Sequence, residues 1–138
     1  MEIRAAVQNR EGQHSVMLST NGRQSSLSVP AKSEGAGSSI NGGELLCLAL
    51  ATCYCNDLYR EAAQRGLRLN GVEVEVVAEF GGTGEPARRI TYTARVSSDA
   101  PEAEIEELLR HTDQVAEVHN TLRAGIAVEF RGAREGDA

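Results

Sequence analysis

Polar and apolar residues alternate through much of the first thirty positions of the chain, a period-two pattern typical of half-buried β-strands. Asn21-Gly22 is the dipeptide most typical of a tight hairpin, because both residues tolerate a positive φ angle. Arg10-Glu11-Gly12 marks an earlier turn, and a loop rich in Ser, Gly and Ala follows from position 30 to 43. The pattern predicts a three-stranded meander with strands at residues 2–8, 14–20 and 23–29.

A long helix is predicted next, from the capping sequence Asn41-Gly42-Gly43-Glu44 to about Arg65, with Gly66 ending it. Residues 45–51 are apolar on every side of this helix. A helix that is apolar all round must be buried all round, which a domain of this size achieves with difficulty. The pattern therefore favours a homodimer in which a subunit contact covers the helix.

Strict alternation returns in the second half of the chain, where residues 72–80 and 90–96 predict a hairpin. A second helix is predicted from position 99 or 100 to Gly125, because apolar residues recur along one helical face. Residues 126–130 then predict a last strand. The order β-β-β-α-β-β-α-β indicates an α+β fold with a single domain over residues 1–131 and a disordered tail over residues 132–138.

Composition and charge exclude several classes of function. Of the 138 residues, 41% are hydrophobic and 25% are charged, which is typical of a soluble globular protein. A net charge of −6 and the absence of Trp disfavour binding to nucleic acid. No apolar run approaches the roughly 20 residues of a membrane span, and no secretory signal is visible. We therefore expect a cytoplasmic protein with neither a membrane nor a nucleic-acid partner.

Three cysteines, Cys47, Cys53 and Cys55, all lie on the predicted first helix. Cys53 and Cys55 point about 200° apart around the helix, so they cannot form a disulfide in place. Free thiols in a reducing compartment are the better interpretation, with Cys47 and Cys55 packing as small apolar residues. No pair of histidines and cysteines has ligand spacing on a common face, so neither a metal nor another cofactor is predicted.

Several local sequences resemble the osmotically inducible protein and organic hydroperoxide resistance family (OsmC/Ohr). They are Ala51-Thr52-Cys53-Tyr54 after the apolar run, the Gly-Gly-Glu-Leu-Leu start of the helix, Arg10-Glu11-Gly12, Val115 and Asn120. The resemblance covers essentially the whole chain and implies an intertwined homodimer with a buried central helix. In peroxidase members, a thiolate reduces an organic hydroperoxide and becomes a sulfenic acid, which a second cysteine converts to a disulfide.

The resemblance implies that Cys53 is the peroxidatic cysteine and that Arg10 stabilises its thiolate. Cys53 lies about twelve residues beyond the helix cap, where the helix dipole no longer lowers a thiol pKa. A nearby cation or hydrogen-bond donor is therefore required to make this thiol reactive. The alternative for Arg10 is a solvated residue of a turn.

Two positions depart from the family's peroxidase pattern. Ala116 stands where the second cysteine is expected, and Gly43 stands where the glutamate that pairs with the arginine is expected. Glu44 is a candidate substitute for that glutamate, or simply a capping carboxylate of the helix. His119 lies on the same helical face as Ala116 and is a candidate to lower the pKa of Cys53; the alternative is a core histidine.

These features predict a stress-response protein of OsmC type that reduces small organic hydroperoxides through Cys53 alone. An external thiol would then be the reductant, because Ala116 cannot resolve a sulfenic acid. Two alternatives remain open. One is a non-catalytic member that binds a small apolar ligand at the dimer interface, and the other is a thiol-based sensor in which modification of Cys53 alters the dimer.

Overall fold

A computed structural model describes residues 1–134, which fall into two compact units. The first unit comprises Met1–Gly42 together with the segment that begins at Arg131, and the second comprises Gly43–Phe130. Of the predicted tail, residues 135–138 lie outside the described part of the chain, and residues 132–134 are irregular and exposed. In the described part, no helix combines the length and apolarity needed to cross a membrane.

The first unit contains the predicted meander of three antiparallel strands in the order β1-β2-β3. The register runs from Ile3 opposite Thr20 to Arg10 opposite Gln13, and Asn21 and Gly22 both have positive φ angles in the second turn. The third strand is shorter than predicted, because it ends at Ser25 rather than at residue 29. The bounds are β1, Ile3–Arg10; β2, Gln13–Thr20; and β3, Arg23–Ser25.

The second unit is built from the long helix, an antiparallel hairpin and two shorter helices. Its core consists of Tyr54, Leu58 and Ala62 of the first helix with Leu108 and Ala116. The inward-facing residues of the hairpin pack against this core, as the alternating pattern requires. The bounds are α1, Gly42–Gln64; β4, Gly71–Phe80; β5, Ala87–Ser97; α2, Glu102–Val115; and α3, Glu117–Ala124.

The prediction of one continuous second helix is wrong, since the chain forms two helices separated by Ala116. This residue is fully buried and has extended backbone angles, φ −71° and ψ 111°. Side chains of α3 satisfy carbonyl groups of the last turn of α2: Arg123 donates to the Asp113 carbonyl at 3.0 Å, and Asn120 donates to the Gln114 carbonyl at 2.9 Å. The break is therefore stabilised by bonds that a continuous helix would not need.

The prediction of a last strand is also not met within the described residues, where residues 126–130 are irregular. The alternating apolar side chains of this segment are exposed, 66% for Ile126, 100% for Val128 and 92% for Phe130. A strand requires a neighbour that accepts and donates its backbone hydrogen bonds, and no strand of the described chain pairs with this segment. Alternation alone cannot supply that neighbour.

Candidate functional site

Cys53 lies on α1, partly buried, and its thiol has a specific partner. The Sγ–H group donates to Asp57 Oδ2 at 3.5 Å, the side chain one helical turn further along. Residues four apart on a helix share a face, so the helix itself sets this pairing. Asp57 is only 6% exposed, which makes it a buried carboxyl group directly beside the thiol.

Arg60 joins the Asp57 carboxyl group to two further acidic side chains. Its Nη1 atom lies 3.1 Å from Asp57 Oδ1 and 3.1 Å from Glu117 Oε2, and its Nε atom lies 2.9 Å from Glu61 Oε2. Glu117 is the first residue of α3, where the helix dipole also favours a negative charge. We call Cys53, Asp57, Arg60 and Glu117 the thiol cluster.

Glu61 extends the thiol cluster toward α2 and holds a negative charge. Its Oε1 atom lies 2.7 Å from His111 Nε2, and Arg65 donates to its backbone carbonyl at 3.2 Å. The hydrogen bond from Arg60 lowers the pKa of Glu61, with a further contribution from His111. Glu61 therefore serves as an ionised anchor for Arg60 rather than as an exchangeable proton carrier.

Burial and neighbouring charges shift the pKa values of the three titratable groups Cys53, Asp57 and Glu117. Burial raises the pKa of Cys53, and the neighbouring Asp57 and Glu117 raise it further, while a hydrogen bond with the Val118 backbone opposes them. Burial also raises the pKa of Asp57, and its hydrogen bond to Glu117 adds to the rise. For Glu117, burial is outweighed by the hydrogen bonds from Asp57 and Arg60, so its pKa falls. Asp57 is thus the carboxyl group that holds a proton more readily.

The thiol cluster also brings three metal-ligand atoms together, because the ligand atoms of Cys53, Asp57 and Glu117 lie within 4.8 Å of one another. Arg60, however, already provides a positive charge at 3.1 Å from both carboxylates. A divalent metal would have to displace this guanidinium before it could bind. We therefore interpret the cluster as an ion-pair network, and the absence of a metal stays a prediction.

His119 lies inward, as the apolar face of its helix indicated, and is 4% exposed. Its ring packs against two tyrosines that also contact each other, with centroid distances of 4.7 Å to Tyr92 and 5.8 Å to Tyr54. Neither ring nitrogen has a hydrogen-bond partner among the described residues, and burial lowers the pKa of the imidazole. A neutral ring without a hydrogen bond to Cys53 does not fit the imidazolium partner expected for that thiol.

The other residues singled out in the sequence, Arg10, Glu44 and Ala116, are not members of the thiol cluster. Arg10 is the last residue of β1 in the first unit and is exposed, while Glu44 lies in the first turn of α1 in the second unit. Ala116 is fully buried in the core against which Cys53 packs. The functional roles of Arg10 and Glu44 stay predictions.

Sequence reasoning missed the acidic and basic partners of Cys53. Asp57 and Arg60 follow it at four and seven residues, which places all three on one face of α1. That spacing is visible in the sequence, yet a charged residue on a helix is usually solvated, so it gave no warning of a buried carboxyl group. Glu117 could not be found in this way, because it meets the cluster only through the break at Ala116.

Comparison with known proteins places this chain in a family. A sequence model described as "OsmC-like protein" matches residues 35–131, which include every member of the thiol cluster. The chain belongs to the OsmC-like family. No curated protein sequence matches the chain significantly.

Solved structures of OsmC-like proteins share the fold of this chain. An OsmC-like protein from Mycoplasma pneumoniae superposes with a TM-score of 0.64 at 18% identity, covering 88% of this chain and 86% of that chain. An organic hydroperoxide resistance protein from Elizabethkingia anophelis gives 0.62 at 14%, with 89% of both chains covered. One from Legionella pneumophila gives 0.58 at 17%, with 89% and 90% covered. The predicted OsmC-like α+β fold is confirmed.

Proposed function

We propose that this OsmC-like protein reduces organic hydroperoxides with Cys53 as its single reacting thiol and Asp57 as the proton acceptor. The observation that carries the proposal is the hydrogen bond from Cys53 Sγ to Asp57 Oδ2, made to a buried carboxyl group. Family membership supports the substrate class, since solved relatives include organic hydroperoxide resistance proteins. Burial raises the pKa of Cys53, so a base is needed to remove its proton.

The first step transfers one oxygen atom from the peroxide to the sulfur. The Cys53 sulfur attacks the terminal peroxide oxygen, and the S–O bond forms as the O–O bond breaks. The thiol proton passes to Asp57 and then to the departing alkoxide, which leaves as an alcohol. The sulfur is oxidised by two electrons to a sulfenic acid, and the hydroperoxide is reduced.

The second half of the cycle uses an external thiol, because the position where the resemblance implies a second cysteine holds Ala116. One external thiol attacks the sulfenic sulfur, which forms a mixed disulfide and releases water. Another external thiol attacks the mixed disulfide, which frees Cys53 and releases the reductant as its own disulfide.

Arg60 holds the proposed base, Asp57, in position beside the thiol. It holds Asp57 on one side and Glu117 on the other, each at 3.1 Å, so that a carboxyl oxygen faces the thiol. Burial is the largest cause that raises the pKa of Asp57, so its carboxylate has a higher proton affinity than that of a solvent-exposed aspartate. A carboxylate tuned upward in this way accepts a thiol proton better than an ordinary aspartate does.

The test is reduction of tert-butyl hydroperoxide by the full chain with dithiothreitol as the external thiol. Cys53→Ser should abolish turnover, whereas the matched variant Cys47→Ser with Cys55→Ser should keep it. Turnover by Cys53→Ser at the level of the matched variant would refute the proposal. Arg10→Ala in the same assay tests the role that the family resemblance implies for Arg10.

A further inference from the structure

A cavity, which we call the His119 pocket, lies in the second unit and has a volume of about 240 Å³. Its walls come from α1, β5 and α3 and consist of Leu50, Ile90, Tyr92, His119, Leu122 and Arg123. The members of the thiol cluster are not among these lining residues. The pocket is therefore separate from the site of the proposed peroxide reduction.

The polar group in this pocket is an imidazole whose hydrogen-bonding capacity is unused. His119 is 4% exposed, and both ring nitrogens are buried with no partner among the described residues. Nearly all buried polar groups in proteins have a partner, because leaving one unpaired costs free energy. A neutral imidazole offers one N–H donor and one nitrogen acceptor, so a bound hydroxyl group can meet either of them.

The charged residue at the pocket is already neutralised from within the protein. Arg123 Nη2 lies 2.7 Å from Asp113 Oδ1, and its Nη1 atom donates to the Asp113 carbonyl at 3.0 Å. Asp113 also accepts a hydrogen bond from the Tyr92 hydroxyl. Because this charge is balanced and the other walls are apolar, an anionic ligand would lose its hydration without gaining a free cation.

The volume of the pocket and the residues that line it further restrict the class of ligand that can bind. A cavity of about 150 Å³ is enough to hold benzene, so about 240 Å³ accommodates a six-membered ring with a substituent. Tyr92 and His119 already meet edge to face, at an interplanar angle of 67°, and such rings pack well against another aromatic ring.

We propose that the His119 pocket binds a small neutral aromatic molecule that carries a hydroxyl group, with the hydroxyl hydrogen-bonded to the His119 ring. Phenol is the simplest probe of this class. Toluene is its matched counterpart, because it has the same ring and nearly the same size but cannot form the hydrogen bond.

The first experiment titrates phenol into the full-length wild-type protein and follows the ring nitrogens of His119 by NMR. Phenol should shift these signals in a saturable way, and toluene should occupy the pocket without the change expected for a new hydrogen bond. The same titration of Cys53→Ser should be unchanged. Phenol binding by Cys53→Ser, a variant expected not to reduce peroxide, would show that the binding proposal does not depend on the proposed peroxidase activity.

The second experiment compares both ligands across variants by calorimetry. His119→Leu should weaken phenol binding roughly 3- to 10-fold more than it weakens toluene binding, because only phenol loses one neutral hydrogen bond. His14→Leu, a histidine of β2 in the first unit, should affect neither ligand. Equal losses for phenol and toluene would show that His119 only packs, and would overturn the proposal.

The wild-type titration decides the question even if His119→Leu does not fold. Saturable binding of phenol with a shift at the His119 nitrogens supports the proposal. Absence of saturable binding, or binding that leaves those nitrogens unmoved, overturns it.

Discussion

The thiol cluster and His119, both in the second unit, differ in how many of their polar atoms have a hydrogen-bond or ion-pair partner. In the thiol cluster, every charged side chain has a partner, and Arg60 alone contacts three carboxylates. At His119, a buried ring carries two nitrogens that contact no partner among the described residues. We propose that the first arrangement moves a proton during peroxide reduction, and that the second binds a ligand whose hydroxyl group completes the hydrogen bonding of His119. The burial of a polar side chain therefore does not by itself distinguish a catalytic site from a ligand-binding site.

Among the variants that distinguish the thiol cluster from His119, Asp57→Asn is expected to have the largest effect, a loss of peroxide reduction. Asparagine can still accept a hydrogen bond from Cys53 but cannot take its proton, so we expect the second-order rate with tert-butyl hydroperoxide to fall about 10²-fold. Stopped-flow measurement of that rate checks the prediction. Glu102→Gln is the control, because Glu102 is an exposed carboxyl group in the first turn of α2 and is not a member of the thiol cluster. A rate for Asp57→Asn equal to the control rate would exclude Asp57 as the base.

A smaller but distinctive effect is expected from Ala116→Cys. The fully buried alanine lies in the core against which Cys53 packs, so the added sulfur should cost about 1–3 kcal/mol in the free energy of unfolding. In a background where Cys47 and Cys55 are replaced by Ala, one hydroperoxide should then consume two thiols. Mass spectrometry should find a disulfide in place of the sulfenic acid. Persistence of the sulfenic acid would show that this position cannot reach Cys53.

Arg60→Met tests whether complete pairing stabilises the thiol cluster. It leaves Asp57 and Glu117 facing each other without their shared cation, so the free energy of unfolding should fall by about 1–2 kcal/mol. The modest size reflects the 42% exposure of the Arg60 side chain, which allows water to screen the charges. Denaturant unfolding at pH 7 measures the change. An unaltered midpoint would mean that the ion pairs contribute no net stability.

The smallest effect is expected from His119→Leu, and it depends on pH. Burial, then the charge of Arg123, lowers the folded-state pKa of His119, while Asp113 opposes them. The unfolded chain therefore binds the proton more readily. The stability that neutral His119 contributes is complete above the ordinary histidine pKa of about 6.5 and is lost as the pH falls through the folded-state value.

His119→Leu should remove that loss, so the variant should become more stable relative to wild type as the pH drops below about 6.5. Near pH 7.5, the two proteins should differ little, because leucine replaces an unpaired polar ring with an apolar side chain. Urea unfolding at several pH values tests this. Parallel stability profiles for the two proteins would contradict the lowered pKa of His119.

Much of the fold could be predicted from the sequence, because its signals are local. Alternation and the Asn21-Gly22 turn predicted the first meander, and alternation also predicted the hairpin of β4 and β5. The break at Ala116 gave no such signal, since apolar residues continue across it on one face. The segment 126–130 showed the reverse problem, because its strand-like alternation needs a neighbour that sequence alone does not reveal.

The candidate site was only partly visible in the sequence. Family resemblance singled out Cys53, and the apolar stripe placed His119 inward, but neither revealed which group contacts the thiol. Asp57 and Glu117 approach each other because α3 begins immediately after a bend, and that geometry arises from the tertiary structure. Pairwise chemistry across such a bend could not be inferred from periodicity.

The bonds that join α2 to α3 have a consequence for local unfolding. Because Arg123 and Asn120 of α3 satisfy carbonyl groups at the end of α2, fraying of α3 leaves those carbonyls unpaired, and we expect both helix ends to open together. Glu117 and His119 both belong to α3, so a single opening event would separate Glu117 from the thiol cluster and remove one wall of the His119 pocket at the same time. Amide hydrogen exchange would register the two sites as one cooperative unit.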